Sequence, residues 1–368
     1  MTEQQFRNKV IWFSFVFSLL VVWVHSENAE LFLGKTQEMT AVWQAEQWLI
    51  DYVAQIAVPG FFMISGYLFY RDFTWKSLRK KWNRRIKSIL VPFILWNGIY
   101  YLGYVIGSRL PGMAQVLGKG IVPFTIEAAV DAVLNYRYNY VFWYLHQLML
   151  LTILAPLLWQ FLRTRWGSAL LVFVPLWLTA QNLHLPFLNL DALIYYGSGA
   201  ALAVETARWR EKGWQEGLGR ISRIPESPWH MVHLLPERLW NGRRAAVGVI
   251  CLVLAAISYW AGLKTAVMAG FILCRLFAVA GLWLFVPGDK LPPAKDFMCH
   301  NFFLYAVHFA FVRLINKVLA LMFPVTTWEP LVLFLLMPGL VLAVSTLLGR
   351  ILRRYLPGLW RLLNGYRA

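Results

Sequence analysis

Uncharged apolar runs long enough to cross a lipid bilayer recur from one end of this chain to the other, and that feature removes most of fold space. The first is Val10 to Val24, fifteen residues without a charge. At about 1.5 Å of rise per residue it climbs roughly 22 Å, most of a hydrocarbon core of about 30 Å. In hydrocarbon every backbone N–H and C=O must be satisfied inside the protein, which leaves helices and closed barrels. The runs are continuous rather than alternating, so a barrel is excluded and an all-α polytopic membrane fold is expected. Composition agrees: 59% of the 368 residues are hydrophobic and only 14% charged, unlike a soluble domain.

Ten spans are predicted, near residues 9–26, 51–70, 88–107, 139–161, 168–184, 189–206, 245–262, 266–286, 300–322 and 330–350. Pro59, Pro92, Pro156 and Pro175 fall inside or near span ends, where they kink helices without forbidding them. The first run lacks a small-residue cleavage site, and acidic residues follow it, so it is expected to stay as a helix rather than leave as a signal peptide. The whole of 1–368 reads as one membrane domain, with spans at 9–206 and 245–350 joined by a connector at 207–244.

The charges set the orientation. The net charge is +17, but the basic residues lie in alternate loops, which is a positive-inside bias and not a nucleic-acid surface. Arg7 and Lys9 precede the first run. The next loop carries Glu27, Glu30, Glu38 and Glu46 against Lys35, and the loop after it carries Arg71, Arg79, Lys80, Lys81, Arg84, Arg85 and Lys87 against Asp72. Arg163 and Arg165, the 207–244 segment, and the tail from Arg350 to Arg367 continue the alternation. Both termini are therefore expected on the cytoplasmic side of a plasma (inner) membrane. Trp209, Trp214, Trp229 and Trp240 in the connector, and Leu352, Tyr355, Leu359, Trp360 and Leu363 in the tail, suggest segments lying on membrane lipid. The three cysteines are far apart, and no spacing suggests a disulfide framework or a metal site.

Polar groups inside such spans are costly and point to function. His25 closes the first run, near the extracytoplasmic end of its helix. A neutral imidazole there can act as a general base, or can simply be bonded among the headgroups. His146, in Phe142-Trp143-Tyr144-Leu145-His146, falls in the same leaflet and could share a site with His25 or pack across helices. Arg275 lies near the middle of the eighth span, where a guanidinium costs roughly 2.5–3.5 kcal/mol on insertion scales and must face a partner or water. Its natural task is to hold an anionic group. His308 and Arg313 in the ninth span are weaker candidates. Gly60 and Gly66 permit close helix approach, and Ser65 can bond a neighbouring backbone. The Arg71–Lys87 cluster is either a topology determinant drawn to anionic lipid or a dock for a phosphate-bearing ligand.

Four passages carry a resemblance. They are Val21-Val22-Trp23-Val24-His25-Ser26, Val58-Pro59-Gly60-Phe61-Phe62-Met63-Ile64-Ser65-Gly66-Tyr67-Leu68, Arg84-Arg85-Ile86-Lys87-Ser88-Ile89-Leu90-Val91-Pro92-Phe93, and Phe142-Trp143-Tyr144-Leu145 with the late Tyr305-Ala306-Val307-His308. In this order the chain resembles the acyltransferase-3 family of integral membrane acyltransferases, which modify exported or surface glycans. The resemblance implies ten helices, His25 as the essential histidine, and transfer of an acyl group, usually acetyl from acetyl-CoA, to a glycan hydroxyl. Many members place an Arg eleven residues before that histidine, where this chain has Ser14.

On this reading the phosphates of acetyl-CoA dock at Arg71, Lys81, Arg84, Arg85 and Lys87. The acyl arm passes groups such as Arg275, Ser65, Trp143, His146 and His308, and His25 deprotonates the acceptor. The competing class is a transporter or flippase for a glycan or small anion, against which the lack of an inverted repeat counts.

Overall fold

The computed structural model describes residues 1–34, 37–111, 113, 117–217, 237–322 and 328–367. Among them the regular structure is helical throughout: α1 (Glu3–Val24), α2 (Ala29–Leu33), α3 (Gln37–Tyr52), α4 (Ala57–Tyr70), α5 (Trp75–Arg85), α6 (Val91–Gly107), α7 (Ile126–Leu134), α8 (Trp143–Ile153), α9 (Ala155–Leu162), α10 (Arg165–Ala180), α11 (Leu190–Gly217), α12 (Glu237–Thr265), α13 (Met268–Phe285), α14 (Asn301–Met322), α15 (Glu329–Tyr355) and α16 (Pro357–Leu363).

Each of the ten expected spans has a helical counterpart, but the described residues contain seven helical stretches long and apolar enough to cross a membrane. The other three expected spans depart from that standard in different ways. The 139–161 span is broken into α8 and α9, bent by 65°. Pro156 stands in the first turn of α9, and its ring and missing N–H stop the α8 ladder from running on. The 168–184 span is the shorter α10, sixteen residues with Pro175 inside it. The 189–206 span is part of α11, which is long but interrupted by Asp191, Ser198, Glu205 and Thr206.

The chain packs as two compact units. The first holds residues 1–17, 56–78 and 150–295, and the second holds 18–55, 79–149 and 296–368. Each draws on segments from both sides of the 207–244 connector. In the first unit α4 lies against α11 with almost no side chain between them. A Cβ on Gly66 would fall on the Tyr196 carbonyl oxygen, and one on Gly199 on the Met63 carbonyl oxygen. Small residues at a crossing let two backbones touch, which is the main attraction available between helices in lipid. The buried Lys9 donates to the Val286 carbonyl at 2.8 Å and sits 4.4 Å from the Trp283 ring.

The second unit is built round Val22, Leu304, Val312, Met337 and Val341, contributed by α1, α14 and α15. On α15, Leu336 and Leu347 stay 57% and 61% exposed, as residues facing lipid tails would be. A π-turn at Ile86–Leu90 leads into α6, where Pro92 could not have accepted an undistorted α-helical turn.

The tail is partly exposed and partly packed: Tyr355 and Leu359 are exposed, while Trp360 and Leu363 are not. Leu352 and Tyr355 belong to α15, and α16 turns back into the second unit, burying Trp360 and Leu363. Trp360 packs 5.0 Å from Phe303, and the Trp96 indole donates to the Leu363 carbonyl at 3.0 Å. In the connector, Trp209 is 70% exposed and donates to Glu205 at 2.6 Å. The side chains of Trp214, Trp229 and Trp240 lie outside the described residues.

Candidate active site

α1 ends one residue before His25. Ser26 causes the stop: its hydroxyl donates back to the Val22 carbonyl at 2.6 Å, competing with the helix ladder, and its side chain is fully buried. The chain then turns into α2, whose first backbone N–H groups need an acceptor. Glu46 supplies it from α3, taking the N–H of Asn28 and of Ala29 at 3.2 Å each. His25 is thus held on a turn that is braced on both sides.

Three side chains of the second unit surround the imidazole. Tyr140 Oη lies 3.0 Å from His25 Nδ1. His308 places its ring 5.3 Å away, and Phe309 stands edge-on at 5.8 Å. His308 is fully buried, and its tautomer is fixed: Nδ1–H donates to the Tyr305 carbonyl at 2.5 Å, so Nε2 carries the lone pair. Among the described residues no hydrogen-bond partner reaches that Nε2. Tyr305 is itself anchored, its hydroxyl donating to the Val141 carbonyl at 2.7 Å and its ring stacked on Phe142 at 5.5 Å. The late Tyr305…His308 passage therefore reaches His25 through His308 and meets the Phe142-Trp143 passage through Tyr305, with Tyr140 as a member of the site that sequence reading missed. Its only signal was its place just before the aromatic Phe142-Trp143-Tyr144 motif.

The other expected residues take separate places. His146 is half-buried on α8 with its ring 5.6 Å from Tyr136 and its Nδ1 unpaired among the described residues. The histidine that stands against His25 is His308. Trp143 begins α8, half-buried. Ser65 and Arg275 belong to the first unit. Arg275 is half-buried on α13, within electrostatic range of Asp191 and Tyr195 on α11. The mid-span guanidinium therefore has a carboxylate neighbour.

The basic cluster divides. Arg71 is committed to Glu3, gripping both carboxylate oxygens at 2.5 and 3.3 Å, with its guanidinium 4.9 Å from the Phe6 ring. Arg84 and Lys87 are exposed, while Lys81 and Arg85 are half-buried. Arg85 is near enough to repel Arg367, which caps the Phe302 ring at 4.0 Å. Burial first, then Arg85, push the Arg367 guanidinium down to about 10, so it remains charged at neutral pH. Among the described residues no cluster of three or more His, Cys, Asp or Glu side chains could hold a metal ion.

Comparisons with known proteins bear on this arrangement. The sequence profile described as an acyltransferase domain matches residues 11–350, a stretch that contains His25, Tyr140 and His308. The succinoglycan biosynthesis protein ExoH of Rhizobium meliloti (strain 1021) is 34% identical over 116 residues, 28% of this chain and 29% of that protein. The match thus spans under a third of that relative's length. No solved structure matches the chain. Because the profile runs through nearly every helix and takes in both the His25 turn and the α14 residues packed on it, the chain belongs to the acyltransferase-3 family of integral membrane acyltransferases.

Proposed function

We propose that residues 1–368 form a single membrane acyltransferase domain that moves an acetyl group from cytoplasmic acetyl-CoA to a hydroxyl of an exported or cell-surface glycan, with His25 as general base. It spans the plasma membrane ten times with both termini cytoplasmic, an orientation supported by the alternation of basic loops. The observation that carries the reading is the His25 turn: a half-buried imidazole braced by Ser26 and Glu46 and bonded through Nδ1 to Tyr140.

The chemistry follows from the tautomers. A general base needs a lone pair aimed at the acceptor hydroxyl. The base needs the tautomer in which Nδ1–H donates to Tyr140 Oη, which leaves the lone pair on His25 Nε2. It takes the hydroxyl proton as the oxygen attacks the thioester carbonyl, and the thiolate of coenzyme A leaves. His308, fixed by the Tyr305 carbonyl, walls one side of the imidazole and limits its rotamer. At the donor end, exposed Arg84 and Lys87 with half-buried Lys81 and Arg85 supply charge for the phosphates.

The test is His25→Ala, assayed for transfer of labelled acetyl from acetyl-CoA into envelope glycan, with protein abundance checked in membranes. A loss of about 10²–10⁴ in rate is expected. Equal labelling by wild type and variant would make His25 a packing residue and sink the base. Transport of a glycan without acetyl-CoA, driven by a proton gradient, would support the transporter reading instead.

A further inference from the structure

Beyond His25 the second unit carries a chain of cations and aromatic rings that the transfer chemistry itself does not use. Arg313 stands on α14 five residues past His308, roughly 7 Å further along the helix, and Lys317 is another turn on. The guanidinium lies 5.4 Å from the ring of Phe309, the same ring that stands 5.8 Å from His25. One Arg313 N–H donates to Tyr104 Oη at 3.1 Å, and among the described residues no carboxylate pairs with it. Lys317 is half-buried and close enough to Arg313 to repel it. A guanidinium on a helix of spanning length, with no carboxylate partner for Arg313 among the described residues, is expensive unless an outside group neutralises it.

The aromatic rings continue the same wall. Tyr104 and Tyr138 lie 5.0 Å apart, and Lys119 sits 5.3 Å from Tyr138 and 6.0 Å from Tyr104. Lys119 is exposed, and no carboxylate pairs with it among the described residues. Of the acids in the flanking segments, Asp131 pairs with Arg137 at 2.7 Å, Glu27 accepts from Trp43 at 2.8 Å, Glu46 holds the α2 turn, and Glu30 and Glu127 are exposed. Tyr140, half exposed, links this wall to the His25 imidazole.

Flat rings offer a negative face to the C–H side of a sugar, and a guanidinium offers paired N–H donors to a carboxylate. With the orientation proposed above, the C-terminal part of α14 that carries Arg313 and Lys317 points outward, so an acceptor coming from outside would pass them before reaching His25. We infer that the acceptor is an acidic glycan, whose carboxylate-bearing sugar is held by Arg313 with help from Lys119 while a hydroxyl of a neighbouring position is presented to His25. This inference rests on the acyltransferase reading for the role of His25, but the anion site can be tested without catalysis.

The probe is a galacturonate tetramer, with its carboxyl-reduced galactose counterpart as control, binding to the full-length protein in detergent and followed by tryptophan fluorescence. Wild type is expected to bind the acidic tetramer at least about tenfold more tightly than the neutral one, an advantage that shrinks as salt rises. Arg313→Gln should erase the preference and Arg313→Lys should keep much of it, with a melting transition confirming that both variants fold. Equal binding of the two tetramers by wild type would overturn the inference, as would a preference that survives Arg313→Gln. His25→Ala separates the two claims. It should bind like wild type, so binding with charge preference but with unimpaired transfer in that variant would overturn the base and leave the anion site standing.

Discussion

Tyr140 Oη sits 3.0 Å from His25 Nδ1, and the direction of that hydrogen bond sets which imidazole nitrogen is free to act. If the tyrosine oxygen accepts, Nε2 keeps its lone pair for the acceptor hydroxyl. Removing the oxygen leaves both tautomers open and the ring less firmly held. Tyr140→Phe is therefore expected to lower kcat by about tenfold or more while the KM for acetyl-CoA stays near wild type. Steady-state transfer kinetics check it, and an unchanged kcat would mean that the contact is only packing.

Glu46 is the second support of the His25 turn. It is fully buried, and its Oε2 takes two backbone N–H groups that have no other helical partner. Glu46→Ala strands both donors, at a cost of about 1–3 kcal/mol for each group left without water. Glu46→Gln keeps one acceptor oxygen and should lose less. The expected signature is a lower melting temperature and a lower kcat for Glu46→Ala, with Glu46→Gln between it and wild type.

The α4–α11 crossing shows how far the sequence could be read. Gly66 and Gly60 stood out as sites of close approach, and Gly66 is indeed where the Tyr196 backbone touches α4. Its partner Gly199 lies far away in sequence, and nothing local pairs the two. Gly66→Ala is expected to force the helices apart at about 1–3 kcal/mol, read as a reduced melting temperature in detergent. The same limit applies at the site. Helices, kinks and His25 follow from hydropathy and residue type, which are local. That His308 rather than His146 meets His25, and that α16 buries Trp360 and Leu363 in the second unit, depends on pairings between distant segments. Arg71 looked like any other member of its basic cluster until Glu3 was placed beside it.

Asp131 and Arg137 give a pH signature outside the spans. The hydrogen bond from Arg137 holds the Asp131 carboxyl below its ordinary value of 3.8, with Asn135 adding to the effect. A depressed carboxyl favours the folded state only while ionised. Its contribution is complete above 3.8 and disappears as pH falls through the lower folded value. The pair is exposed, so the effect is local. Hydrogen exchange of residues 126–139, corrected for intrinsic rates, should show protection declining as pH is taken progressively below 3.8. Asp131→Asn should show no such decline.

The donor end allows a sharper separation. Arg71 and Arg85 belong to one basic run, yet Arg71 spends its charge on Glu3, whereas Arg85 faces another cation, Arg367. Two arginines within electrostatic range repel, and an arriving phosphate would relieve that repulsion. Arg85→Gln is therefore expected to raise the KM for acetyl-CoA by about tenfold with kcat nearly unchanged, since uniform binding is what it removes. Arg71→Gln should leave that KM alone and act instead on stability, by freeing Glu3. Reversed behaviour, with Arg71→Gln raising KM and Arg85→Gln silent, would move the donor dock to the start of the basic run and require Glu3 to release its arginine when acetyl-CoA binds.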